Sequence, residues 1–558
     1  MGTKILIIGG VAAGATAAAR ARRVAEDAEI LLVERGPYVS FANCGLPYFI
    51  SGDIAKRSKL LLQTPEGFDS RYGVKVRVNT EALEIDRKGK RVLLRGPEGE
   101  AWEAYDQLIL AQGGNPVMPV LPGSDSPNVF KLWTVPDMDR LAAFLAERKP
   151  SSAAVIGGGF IGLEMAEAFH ARGLATTVVE LLPRVMPVMD GEFGAMIAAK
   201  LEEKGVGVRT GVGLKAILPE RGEIELADGS RIPAGVVLMS VGVRPELALA
   251  KAAGLELGAS GGLLVDEELR SSDPDIHAAG DMVEVIHKVS GRKVRVPLAG
   301  PANRQGRIAA SNALGMRMKY RGALGTSVFK AFEATAASTG LTERAAREAG
   351  IDAGAAMIVK DDHASYFPGG KELALKLVYD RRNGRVLGAQ AFGEAGVEKR
   401  IDVVATALQG RLTVEDLAEL DLAYAPPYSS ANDPLNLAAF AAQNDLSGYS
   451  PLETAAALKA AMAAAREGGG KAFVLDVRNR GEYEKGHLAG AVNLPLDELR
   501  FELDSLPRGE TIHVHCRSGY RSHLALRILR GRGFEKVVNV AGGFIAIQAE
   551  GGFDIEGE

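Results

Sequence analysis

Two cysteines, Cys44 and Cys516, are the only thiols in the 558-residue chain, and each lies in a stretch whose neighbours point to chemistry. Cys44 sits in SFANCGLPYFISG, where Asn43, Gly45 and Pro47 mark a loop rather than a core element. Cys516 sits in HVHCRSGYRSH, where Ile512 to His515 predicts a strand and Ser522 onward a helix. A loop of successive N–H groups feeding a helix N-terminus makes an anion nest that favours a thiolate, and Arg517 and Arg521 add positive charge to it. Such a thiol can hold a terminal sulfur as a persulfide. A thiolate at Cys44 could attack a sulfur–sulfur bond and then be regenerated by two electrons. Two cysteines far apart in sequence make neither a disulfide framework nor a structural zinc site, and no metal is expected.

The electrons need a carrier, and two glycine-rich turns supply candidates. The first, GGVAAG from Gly9 to Gly14, lies between an apolar strand (Lys4 to Ile8) and an Ala/Arg-rich helix (Ala15 to Val24). Val11 replaces its middle glycine, but Gly9 and Gly14 keep the tight turn and the close helix approach, with N–H groups at a helix N-terminus for a pyrophosphate. Glu34 follows twenty residues after Gly14, at the end of the next strand (Ile30 to Val33), where a carboxylate accepts ribose hydroxyls. The second turn, GGGFIG, is complete in Gly157, Gly159 and Gly162, between a strand at Ala153 to Ile156 and a helix at Leu163 to Ala171. Glu180 ends the strand Thr176 to Val179 and favours NAD(H), while Arg184 nearby leaves NADPH open.

Three further segments carry a resemblance. SSDPDIHAAGD, ending at Asp281, LILAQGG (Leu108 to Gly114) and SVGVRP (Ser240 to Pro245, with Gly242) resemble motifs of the pyridine nucleotide-disulfide oxidoreductases. That resemblance implies FAD on the first unit, held by Gly9, Gly10, Gly14, Glu34, Arg35 and Asp281, and NADH on the second. Gln112 stands where the family usually has Thr or a small residue. SFANCGLPY, together with NRQGR (Asn303 to Arg307) and DLAYAPPYSSANDPLN (Asp421 to Asn436), is similar to the coenzyme A-disulfide reductases, the single-cysteine branch. With one cysteine there is no internal C-x4-C disulfide, so the oxidised partner of Cys44 is external: a mixed disulfide, a persulfide or a sulfenic acid. The resemblance carries Thr16, Arg20, Arg23, Ser40, Asn43, Arg71 and Asn303 into a CoA site, and sets Tyr366 and Tyr424 near the active sulfur across a homodimer. A Lys found in some members eight residues after the second tyrosine is Asn432 here. The C-terminal blocks resemble a rhodanese domain with the active loop CRSGYR; Asp476, Arg478, Glu482 and His487 match its first signature block.

The elements that must position these groups follow from patterning. The expected fold is α/β: two Rossmann-like dinucleotide-binding domains, an α+β dimerisation domain and a C-terminal α/β rhodanese domain. The expected ranges are 1–113 with 250–321 for FAD, 114–249 for NAD(P)H, 322–445 for dimerisation, a linker at 446–451, and 452–558 for the rhodanese. Between the two turns, Val74 to Val78, Arg91 to Leu94 and Gln107 to Leu110 look like antiparallel strands. LALKLVYD and RVLGAQAFG flank an Asn383-Gly384 turn and predict a hairpin. Two helical segments follow, ending near Gln443, and NDLSGYSPLE predicts a linker.

With 66 Lys+Arg against 70 Asp+Glu, the formal net charge is −4, which argues against nucleic acid as a partner. No apolar run is long enough for a membrane span, and the first strand begins at once, so a soluble cytoplasmic protein with available thiols is expected. The expected activity is FAD-dependent reduction of persulfide, polysulfide or CoA-persulfide by NADH with release of hydrogen sulfide. The alternatives are CoA-disulfide reduction as the main activity, an NADH oxidase or peroxidase cycling Cys44 through sulfenic acid, and a sulfur carrier with a regulatory flavoprotein part.

Overall fold

A computed structural model describes residues 2–557, which form two compact units: one of residues up to 183 with 205–325, and one of residues 184–204 with those from 326 onward.

The first unit holds two parallel five-stranded sheets. In one, the strands run in the order Ile276–Ala278, Gln107–Leu110, Lys4–Ile8, Glu29–Val33 and Lys75–Arg77. The glycine turn Gly9 to Gly14 leads from Lys4–Ile8 into the helix Ala12–Val24, whose small side chains at Ala13, Ala17, Ala18 and Ala21 are buried. That helix packs on Ala299–Ala313, and a Cβ at Gly306 would lie 2.1 Å from the Ala13 carbonyl, so only glycine admits this approach. In the other sheet, Gly207–Thr210, Ala175–Glu180, Ser152–Ile156, Val236–Met239 and Val129–Phe130 are likewise parallel, with the helix Phe160–Ala171 after the second turn.

Two strand assignments from the sequence change. Gln107–Leu110 and Lys75–Arg77 are not antiparallel: both join the first parallel sheet, beside Lys4–Ile8 and Glu29–Val33 respectively. The run Leu108, Ile109, Leu110 is wholly buried, as a strand covered on both faces must be. Of the three segments, only Arg91–Gly96 lies in an antiparallel ladder, between Glu81–Asp86 and Gly99–Ala104.

The second unit holds an antiparallel sheet in the order Ser327–Ala331, Ala334–Gly340, Val386–Gly393, Glu372–Asp380 and Ala353–Asp361. The expected hairpin is its core, turning at Gly384 with φ +69°. Three helices follow rather than two: Val397–Gly410, the five-residue Val414–Ala418, and Pro434–Leu446, which runs past Gln443. The expected linker is tied down, because Leu452 N–H donates to Asp445 and Arg527 donates to the Tyr449 carbonyl. Beyond it a parallel sheet orders Leu452–Glu453, Val537–Val540, Ile512–His515, Phe473–Asp476 and Val492–Asn493.

Residues 184–204, inside the range expected for the NAD(P)H domain, carry the helix Gly191–Glu203 and belong to this second unit. A buried ion cluster joins them to it. Lys376, 2 % exposed on the hairpin, meets Asp190 at 3.0 Å, Glu192 at 2.5 Å and Glu343 at 2.8 Å. Burial works against the ammonium, but the three carboxylates outweigh it and hold the lysine charged. Lys376→Met leaves three carboxylates without their cation, so it is expected to cost about 3–5 kcal/mol. Thermal unfolding of the variant should show a lower Tm.

Candidate functional site

The first glycine turn is held shut by backbone. Gly9 has φ +102°, and a Cβ there would come 2.3 Å from the Ala111 carbonyl oxygen. A Cβ at Gly14 would lie 1.7 Å from the Gly9 carbonyl oxygen, which confirms the close helix approach read from the sequence. Glu34, expected at a ribose, ties down the turn: its carboxylate accepts from Gly10 N–H at 2.8 Å and from Gly36 N–H at 2.7 Å. Arg35 Nη2 donates to Asn115 at 3.3 Å. Asp281, at the end of the SSDPDIHAAGD segment, is shielded enough that burial pushes its carboxyl up to about 6. Gln112 presents a buried Oε1 with no hydrogen-bond partner among the described residues. The unpaired Gln112 acceptor and the shielded Asp281 carboxyl, with a helix N-terminus that no side chain caps, fit a dinucleotide such as FAD, whose hydroxyls and ring N–H groups would satisfy them.

The second turn repeats the design. Gly157 has φ +106°, a Cβ at Gly162 would lie 1.9 Å from the Gly157 carbonyl oxygen, and nothing stands within 4 Å of a Cβ at Gly159. Glu180 is buried and accepts from Gly158 N–H at 2.7 Å and Leu182 N–H at 2.8 Å. Gly242, φ +117°, follows the strand Val236–Met239. The set fits NAD(P)H.

Cys44 is exposed in the short 3₁₀ turn Asn43–Gly45, which runs directly into the helix Leu46–Ser51. Asn43 Oδ1 accepts from the Cys44 N–H at 3.0 Å and faces its Sγ at 3.7 Å. Desolvation pushes the thiol up, and the carboxylates of Glu164 and Asp281 push it further. Glu164 lies on the helix after the second turn and accepts from Tyr48 Oη at 3.2 Å; its own carboxyl is pushed up to about 7, chiefly by burial. Neither Glu164 nor Tyr48 stands out in the sequence. Glu164 shares its helix with Glu167 and His170 and no motif singles it out, and Tyr48 reads as an amphipathic side chain four residues from the cysteine.

Of the residues expected at a CoA site, Thr16 Oγ1 and Asn303 Oδ1 meet at 2.9 Å. Arg20 donates to Ser311 at 2.9 Å, and burial, Arg307 and Arg23 together weaken its hold on its proton. Arg23 bonds back to the Ala19 carbonyl, and Arg22 on the same helix bonds to the carbonyls of Tyr72 and Gly73, which sets Arg71's helix Pro65–Tyr72 beside it. Ser40 takes a left-handed φ of 48°, with its N–H on the Gly10 carbonyl.

In the second unit, Tyr366 and Tyr424 join hydroxyl to hydroxyl at 2.7 Å, and both side chains are exposed. That bond raises the phenol of Tyr366. Cys516, 1 % exposed, ends the strand Ile512–His515, and its Sγ accepts from Gly519 N–H at 3.1 Å and faces Ser522 Oγ at 3.5 Å. The helix begins at Tyr520, two residues earlier than expected, because Gly519 with φ +102° makes the turn into it. The nest therefore closes over four residues, and Arg521 stands on the first helical turn. The two arginines are not free charges. Arg521 pairs twice with Glu482 at 2.7 Å, and Arg517 pairs with Glu372 at 2.7 Å. Asp476 and Arg478 form a buried pair at 2.6 Å, and His487 stacks on Tyr483, so this signature block shapes the domain.

Paired glycine turns with a lone exposed thiol beside the first define a nucleotide-dependent oxidoreductase, here followed by a nested-thiol domain. The chain belongs to the pyridine nucleotide-disulphide oxidoreductase family, whose profile matches residues 3–306; the family's dimerisation domain matches residues 326–434 and a rhodanese-like domain residues 454–550. Members of this family use FAD and NAD(P)H. It is 36% identical over 433 residues, 77% of this chain and 96% of the relative, to the NAD(P)H sulfur oxidoreductase (CoA-dependent) of Pyrococcus abyssi. The crystal structure of reduced Bacillus anthracis CoADR-RHD superposes with TM-score 0.94 at 41% identity, covering 99% of this chain and 98% of that one. A NAD-dependent persulfide reductase from A. fulgidus gives TM-score 0.89 at 37% identity, covering 97% and 99%. Among the described residues, no helix is long and apolar enough to cross a membrane.

The Glu164 carboxylate acts on Cys44 only when charged, above about pH 7, where it disfavours the thiolate. Glu164→Gln in the holoenzyme should therefore lower the Cys44 pKa and speed its alkylation by iodoacetamide at pH 8, with little change at pH 6. Equal rates at both pH values would remove Glu164 from the thiol's surroundings.

Proposed function

We propose that the protein is an FAD-dependent, NADH-driven reductase of persulfides and polysulfides, with CoA-disulfide reduction as a related activity. The carrying observation is the pairing of one exposed thiol beside a dinucleotide turn with one nested thiol in the same chain, and no disulfide between them. Similarity to relatives whose names specify sulfur and persulfide reduction supports the choice of substrate.

Cys44 attacks the outer sulfur of a persulfide; a Cys44–sulfur bond forms, the old sulfur–sulfur bond breaks, and the carrier leaves as a thiol. Bound FAD supplies two-electron transfer from NADH to sulfur. Cys44 then returns to thiolate as hydrogen sulfide departs. The sum, NADH + RSSH → NAD⁺ + RSH + HS⁻, balances in hydrogen and charge. Gly9, Gly10, Gly14, Glu34, Arg35 and Asp281 hold the flavin, and Gly157, Gly159, Gly162, Glu180 and Gly242 the nicotinamide nucleotide. Thr16, Arg20, Arg23, Ser40, Asn43, Arg71 and Asn303 bind a CoA carrier. In a homodimer built through the dimerisation domain, Tyr366 and Tyr424 of one protomer protonate the outgoing thiolate at the partner's active sulfur. Cys516, with Arg517 and Arg521 beside it, accepts sulfane sulfur from a donor and presents it for reduction. The protein works in the cytoplasm.

NADH oxidation with polysulfide, CoA-persulfide, CoA-disulfide and peroxide separates the readings. Cys44→Ser should lose activity on every sulfur substrate by a factor on the order of 100 or more. Cys516→Ser should keep CoA-disulfide turnover and lose sulfide release from sulfane donors. Turnover with peroxide alone would replace the sulfur reading with an oxidase or peroxidase.

A further inference from the structure

Arg517 follows the nested cysteine directly and would be the outermost positive charge of the sulfur-binding loop, yet a carboxylate from another domain already holds it. Arg517 Nη2 meets Glu372 Oε2 at 2.7 Å, with the two side chains 51% and 47% exposed. The contact is set by backbone and not only by two mobile side chains. Ile545 N–H bonds to the Arg517 carbonyl at 3.1 Å and Phe544 N–H to the Cys516 carbonyl at 2.8 Å, fixing the loop to the helix Gly543–Glu550. The residue before that helix, Gly542, donates its N–H to the Met357 carbonyl at 3.1 Å, and a Cβ on it would press 2.9 Å from the Met357 sulfur. Met357 lies on the strand Ala353–Asp361, whose partner strand begins at Glu372, opposite Asp361. Main-chain hydrogen bonds thus tie the loop to the strand Ala353–Asp361, whose far end pairs with Glu372.

The neighbouring charges leave Glu372 for Arg517. Lys371 is taken by Glu394 at 2.9 Å, and Asp361 adds a second negative charge at the same strand end. Arg521, the loop's other cation, is held by Glu482. Both arginines of the loop therefore pair with carboxylates, Arg521 with Glu482 while also interacting with the Cys516 thiol, and Arg517 with Glu372.

We propose that Glu372 sets the donor specificity of the Cys516 site: by pairing with Arg517 at the loop it cancels the charge that would draw in a dianionic donor such as thiosulfate, and so favours organic persulfides. This rests on the reading of Cys516 as a sulfur acceptor. Glu372 is a positioning residue, acting through Arg517. Because the pair is half exposed, its worth is small and its removal tunes affinity without unfolding the domain.

The test is flavin-independent sulfur transfer to cyanide by the full-length holoenzyme. Cys516 thiolate attacks the outer sulfur of thiosulfate, sulfite leaves with the bonding pair, and cyanide removes the sulfur as thiocyanate to restore the thiolate. Benzenethiosulfonate, a monoanion, undergoes the same exchange with benzenesulfinate leaving. Glu372→Gln should lower the KM for thiosulfate about threefold to fivefold at low salt with kcat unchanged, and shift benzenethiosulfonate less. In an Arg517→Gln background the same substitution should do little. An unchanged thiosulfate KM, or a gain that persists undiminished without Arg517, overturns the proposal. No thiocyanate from wild type with either donor overturns the sulfur-acceptor reading itself, an outcome distinct from an altered donor ratio.

Discussion

Two backbone approaches that no side chain could permit organise the first unit. At Gly14 and Gly162, helix and preceding turn come together so closely that a Cβ would overlap a carbonyl oxygen. A third close approach, Gly306 on Ala13, seats the helix Ala299–Ala313 on the helix that follows the first turn. The rest follows from these contacts. The same helix carries Thr16 to Asn303 and Arg20 to Ser311, and Gln305 beside it receives the Gly280 N–H at 2.7 Å, one residue before Asp281. A dinucleotide turn, a candidate carrier site and the Asp281 segment therefore share one rigid helix pair.

Cys44 gains its setting from the other side. The 3₁₀ turn that bears it continues into the helix of Tyr48, which bonds to Glu164 on the helix of the second dinucleotide turn. The segment of Cys44 is thus linked to the helix of the second glycine turn. A carboxyl titrating near neutrality within electrostatic reach ties the thiol's charge to that of its surroundings. Cys516 is held differently, buried and with a backbone N–H on its sulfur, which suits a group that stores a sulfur rather than one that exchanges electrons.

Much of this was legible in the sequence because it is local. Glycines at fixed offsets after apolar strands mark both turns, and the strand–loop–helix around Cys516 shows in ten residues. What was not legible depends on distant partners. Gln107–Leu110 is a short apolar run, and such a run does not reveal whether its neighbours are parallel. The helix start at Tyr520 depends on the left-handed Gly519. Glu34 and Glu180 read as ribose ligands, yet in the structure each also ties down its own turn. Arg517 and Arg521, read as positive charge for the thiol, are each paired with a carboxylate, Glu372 and Glu482, that no spacing rule connects to the loop.

The central claim is that Cys44 takes sulfur, and the direct measurement is the mass of the Cys44 peptide after the oxidised holoenzyme meets a stoichiometric organic persulfide without NADH. The expected result is a gain of one sulfur atom on Cys44, lost on adding NADH with an equivalent of sulfide released. An unmodified Cys44, or one that gains only oxygen, would contradict it.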